Sequence, residues 1–214
     1  MALADERAAV ASPDPSRLEG DLLSESFWLL LATGEPVPGT TLASNLGVDE
    51  TVVEETLQAM ERAGRIRRLS SGGVVGSLGL TIEPSPHELL LVRDAGAPRH
   101  FFAWCALDAV GIIGALGMGG RVRSVSPQTG AAIELEFLGG QPTANGVVLF
   151  LAEKPAIRSV VDDWCPLVNF FEHADAASAW AAARGVTGAV VPVTAETVTR
   201  AADMWRPRIS RPRA

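Results

Sequence analysis

Two cysteines and one aspartate are the residues of this chain best suited to chemistry. Cys105 sits in the run WCALDAVGIIGALG, and Asp108, three residues on, is the only charged residue between Phe101 and Gly120. Cys165 lies in DDWCPLVNFF and, like Cys105, follows a tryptophan. If a helix begins near Cys105, its free backbone N–H groups and its dipole favour a thiolate there. Asp108 then falls on the same helical face, within reach of whatever the sulfur binds. Ala106, Leu107, Val110 and Ile112 would partly desolvate that carboxyl, raise its pKa and let it donate a proton near neutral pH. Cys105 and Cys165, if they converge, form a site for a thiophilic metal bound linearly, Hg(II) or Cu(I), with Asp108 beside it. The competing reading makes Asp108 an ordinary first-turn acid and the cysteines two unrelated small hydrophobes of the core.

Other motifs carry less. GIIGALGMGG lacks the Lys-Ser/Thr ending of a phosphate-binding loop and the spacing of a dinucleotide fingerprint, so its glycines are read as allowing close packing. His87, His100 and His173 are isolated, with no CxxC or HxH run to complete a zinc site, and are expected at the surface or at helix caps. No GxSxG elbow supports a serine nucleophile.

The bulk properties narrow the setting for these groups. A chain of 214 residues builds one sizeable domain or two small ones sharing a core. With 47% hydrophobic and 20% charged residues it reads as globular. A net charge of −7 argues against nonspecific binding to nucleic acid or to an anionic membrane. The first residues carry acids and no apolar core, unlike a secretory leader. The longest apolar stretch, around Cys105 to Met118, is too short to span a bilayer and contains Asp108. The expectation is a soluble cytoplasmic protein with reduced thiols.

Stepping along the chain, residues 1–20 read as a flexible lead-in and 21–83 as a winged-helix-like module. SESFWLLLAT has a helical apolar face at Phe27, Leu30 and Leu31. TTLASNLG has helix start and stop signals, and DETVVEETLQAMERAG places Val52, Val53, Leu57 and Met60 at helical spacing. RIRRLSSGGVVGSLGLTIE then gives two β-like runs around a Ser-Gly-Gly turn. That shape is not read as DNA-binding, because the third helix carries Asp49, Glu50, Glu54, Glu55 and Glu61 against Arg62. Arg65, Arg67 and Arg68 are the side chains left for a DNA backbone, and packing on the rest of the protein is the favoured role. Residues 84–205 read as a second, mainly antiparallel β domain with flanking helices, and 206–214 as a basic solvated tail. The fold class is therefore α+β.

The motifs Trp-Cys-Ala-Leu-Asp at 104–108, RVRSVSPQTGAAIEL after it, and WCPLVNFFEHADAASAWAAARGVTG further on resemble the organomercurial (alkylmercury) lyase family, from about Asp21 to Trp205. The resemblance implies protonolysis of a carbon–mercury bond, with Cys105 and Cys165 as the catalytic, mercury-holding cysteines and Asp108 as the catalytic aspartate. It implies a hydrocarbon product and Hg(II) left on the two sulfurs, without an organic cofactor. External thiols or a mercuric reductase then take the metal. The family has a further cysteine where this chain has Ser126, often another after the catalytic one where it has Pro166, and a histidine pair where it has Leu167 and Asn169. The alternatives are a noncatalytic soft-metal binder or sensor using the same thiols, and other thiol chemistry on the same fold.

Overall fold

The computed structural model describes residues 15–92, 98–144, 146–153 and 159–210. The first helix, α1 (Pro15–Thr33), starts six residues before the boundary placed at Asp21, so only 1–14 of the supposed lead-in lie outside the described residues. It buries Leu22, Phe27 and Leu30 completely. α2 (Gly39–Leu46) and α3 (Glu50–Arg62) follow, the latter capped by the Asp49 carboxylate, which accepts from Thr51 N–H at 2.9 Å. Val53, Leu57 and Met60 form its buried stripe, as their spacing predicts, whereas Val52, expected on the same face, is exposed.

β1 (Ile66–Arg68) and β2 (Val74–Ser77) make the expected hairpin, but it does not stand apart as a wing. β2 pairs with β3 (Leu80–Thr81), and β3 pairs with β5 (Arg99–Ala103). With β4 (His87–Val92), β6 (Gly119–Val125), β7 (Ala132–Leu138) and β8 (Gln141–Pro142), one antiparallel sheet runs β1-β2-β3-β5-β4-β6-β7-β8. The division at residues 83 and 84 therefore coincides with no break in the sheet. β8 lies in GGQPTANG, a segment whose glycines and proline read as a turn from sequence.

A second sheet, β10-β9-β11, comprises β9 (Val148–Ala152), β10 (Asn169–Phe171) and β11 (Gly188–Pro192). α4 (Ala106–Leu116) packs against strands of both sheets and against α6 (Ala195–Trp205), while α5 (Ala174–Arg184) covers the small sheet. The α4 glycines serve close packing: a Cβ on Gly111 would lie 2.6 Å from the Trp205 ring, and one on Gly114 would lie 2.8 Å from Val198. One buried cluster extends from Leu18 to Ile209. Ile209 corrects the solvated-tail expectation: it is 5% exposed, and its carbonyl accepts from the Trp28 indole at 2.6 Å. Residues 211–214 lie outside the described residues. No described helix is long and apolar enough to cross a membrane.

Candidate active site

Cys105 ends the extended run that follows β5 and caps α4, its sulfur accepting from the Asp108 N–H at 3.4 Å. Cys165 lies at the join between a π-helical turn (Val160–Trp164) and a 3-10 turn (Cys165–Leu167), with Pro166 just inside the latter. A backbone clamp joins the two cysteine segments. Ala106 N–H donates to the Val168 carbonyl and Val168 N–H to the Cys165 carbonyl, each at 3.1 Å. The Cys165 thiol in turn faces Asp108 Oδ2 at 3.8 Å.

Two thiols sixty positions apart in the chain thus meet around one carboxyl. A sulfur from each cysteine and an Asp108 oxygen all lie within 4.8 Å of one another, and all three residues are buried. Soft thiolate ligands at this separation suit a single thiophilic metal.

Burial sets the protonation of the set. Lost hydration, then Cys165 and Asp108, push the Cys105 thiol well above its ordinary value, overturning the expectation of a thiolate favoured by the helix start. Lost hydration also raises Asp108 to about 6, although bonds from Cys105 and Cys165 and the charge of Arg208 pull the other way. At rest the pocket holds a neutral Cys105 thiol next to a carboxyl poised near neutrality.

The turn between β2 and β3 shapes this pocket and was not singled out from the sequence. Leu78 and Gly79 both have positive φ, at 49° and 86°. A Cβ on Gly79 would collide with the Asp108 carboxyl, so only glycine lets this backbone lie against it. The turn is held from both sides: Trp104 N–H donates to the Gly79 carbonyl at 2.9 Å, and the Trp205 indole to the Leu78 carbonyl at 3.0 Å. The sole sequence signal was a glycine between apolar residues in SLGL, which any tight turn shares.

The remaining candidates fall elsewhere. His173 caps α5 by accepting from Ala176 N–H at 3.1 Å, and His100 is half exposed. His87, expected at the surface or a cap, is instead buried in β4, with Nδ1 2.9 Å from Ser124 Oγ and a pKa lowered to about 4 by desolvation. Ser126 is buried beside the Glu172 carboxyl. Leu167 packs against the core, and Asn169 donates to the Pro166 carbonyl at 2.8 Å, bracing the turn that carries Cys165. The arginines considered for a DNA backbone are engaged by acids: Arg65 with Glu19, Arg67 with Asp162, and Arg68 with Glu54 and Glu61.

Residues 80–206 match the family model described as MerB, alkylmercury lyase. An alkylmercury lyase of Staphylococcus epidermidis is 30% identical over 156 residues, which cover 71% of this chain and 67% of that protein. An alkylmercury lyase of Bacillus cereus is 28% identical over 156 residues, covering 71% and 66%. The aligned part thus spans about two thirds of the length of these curated relatives. The fold is similar to that in a crystal structure of the mercury-bound form of MerB2, with a TM-score of 0.78 at 20% identity over 92% of this chain and 97% of that one.

Proposed function

We propose that this chain, which belongs to the alkylmercury lyase family, cleaves carbon–mercury bonds by protonolysis, using Cys105, Cys165 and Asp108. The observation that carries this reading is the buried convergence of two sulfurs and a carboxyl within 4.8 Å.

An organomercury cation in a medium containing thiols travels as an adduct, R–Hg–SR′. Transfer to the protein exchanges one mercury–sulfur bond for another. The bond to the carrier breaks, one to Cys105 Sγ forms, and the cysteine proton leaves on the carrier thiol. Cys165 then adds its sulfur to mercury while its proton passes to Asp108, the carboxyl it already faces at 3.8 Å. Asp108 gives that proton to the carbon as the carbon–mercury bond breaks, its electron pair becoming the new C–H bond. The products are R–H, R′–SH and Hg(II) on two sulfurs. Both protons come from the cysteines, so the reaction needs no organic cofactor.

A carboxyl near 6 suits a group that must both take and give a proton around neutral pH. Release of Hg(II) falls to outside thiols or to a mercuric reductase, and the reduced cytoplasm is the compartment that suits such an exchange. The pairing of the arginines of the β1 region with acids supports no role on DNA. The test is incubation of the purified protein with phenylmercuric acetate and excess thiol. Benzene is expected. Stoichiometric mercury binding without benzene would make the protein a soft-metal binder instead.

A further inference from the structure

Cys105, Asp108 and Cys165 are 0%, 7% and 2% exposed, so a substrate reaches them only by displacing a neighbour. A cleft of about 410 Å³ has Arg67, Arg68, Glu83, Ser85, Trp104 and Val161 in its walls. Trp104 immediately precedes Cys105, and Val161 lies four residues before Cys165.

The two guanidinium groups differ. Arg68 is committed: its side chain is 5% exposed and makes two bonds to Glu54, at 3.1 and 2.7 Å. Arg67 instead pairs with Asp162, and both side chains are about half exposed, at 41% and 52%. Such surface pairs exchange readily, because water and ions compete for both partners. Asp162 belongs to the π-helical turn that runs directly into Cys165, so this pair ties the Cys165 segment to β1. The Trp104 indole N–H is a second donor in the wall, buried and without an acceptor among the described residues.

We propose that this cleft receives the carboxylate of a small thiol carrying the organomercurial, and that Arg67 exchanges Asp162 for that carboxylate as mercury is transferred. The reading rests on the lyase function proposed above and deepens it: the substrate class is an R–Hg adduct of a carboxylate-bearing thiol. Loss of the Asp162 pair loosens the Cys165 turn at the moment its sulfur is needed. Glu83, in the same wall, disfavours a more highly charged anion.

The test compares phenylmercury turnover with mercaptoacetate as the sole thiol and with its neutral isostere mercaptoacetamide. The readout is the ratio of kcat/KM for the two adducts. The wild type should favour the carboxylate adduct by roughly five- to tenfold, the range expected of one charge-assisted contact at a half-exposed site. Arg67→Gln should collapse that ratio, and Asp162→Asn, which frees Arg67, should raise it. Intrinsic differences between the thiols cancel between proteins, and a general loss of folding lowers both rates without moving the ratio. A ratio that neither variant alters would overturn the proposal. Absence of benzene with both thiols would instead overturn the lyase reading, and this inference with it.

Discussion

Replacing Asp108 by Asn keeps the side chain's size and its place in the first turn of α4 while removing the proton carrier between the sulfurs and an organic group. Mercury binding should survive, because two thiolates suffice for a linear soft metal. Hydrocarbon release should fall on the order of 10²–10⁴-fold, the usual cost of losing a positioned general acid. Single-turnover benzene release measured beside mercury binding separates these effects, and cleavage at the wild-type rate would reduce Asp108 to a capping residue. Stability should move oppositely. The folded carboxyl titrates near 6 instead of 3.8, so its contribution is fully present below 3.8 and lost as pH rises through 6. Asn cannot ionise, and its stability relative to wild type should improve between pH 3 and 8 by up to about 3 kcal/mol, read from urea midpoints. This group was legible in the sequence because a lone acid in an apolar run is conspicuous whatever the fold. The Gly79 backbone against it was not, since no local pattern joins positions 79 and 108.

The β2–β3 turn and strand β4 each answer to their own test. Gly79→Ala meets two obstacles, a left-handed φ of 86° and collision with the Asp108 carboxyl. Gly34, at φ 73°, has open space around the same substitution and isolates the backbone penalty. Gly34→Ala should therefore cost about 1–2 kcal/mol. Gly79→Ala should cost more than that and impair cleavage as well, and equal losses with intact turnover would detach this turn from the site. On β4, the apolar run ELLLV reads as a strand, and the structure points His87, Leu89 and Leu91 inwards. His87 titrates near 4 instead of 6.5, so its contribution is present above 6.5 and lost as pH falls towards 4. Up to about 3 kcal/mol should disappear across that window, and His87→Gln should flatten the slope of denaturant midpoint against pH. Elements this regular were readable from their periodicity. β10, with three residues, is too short to show alternation, and the turn carrying Cys165 is stabilised by distant partners: Ala152 for the Trp164 indole and Arg67 for Asp162.

At the scale of the molecule, the Pro-rich step EPSPHE and the change of pattern beyond it suggest a division of the chain near residue 84. Those local signals cannot reveal that Leu80 pairs with Ala103 and Thr81 with Phe102, which makes the sheet continuous. The pairing has a functional side, because Ala103 is two residues from Cys105 and the neighbouring turn rests on Asp108. A fragment beginning at Pro84 would lose β1, β2 and β3 and leave β5 as an open edge beside the reactive cysteine. It would also remove the Gly79 carbonyl that holds Trp104 and the Leu78 carbonyl that holds Trp205, and strip α1 from Ile209. With one buried cluster running from Leu18 to Ile209, the two parts share a core. The full chain should accordingly unfold in one transition, with far-UV circular dichroism and tryptophan fluorescence coinciding along a urea series. The 84–214 fragment should lack a cooperative transition and bind Hg(II) without the protection of both thiols expected of the full chain. Cooperative melting of the fragment, with two protected thiols and benzene release, would show that the site belongs to an independent domain and that the amino-terminal helices only decorate it.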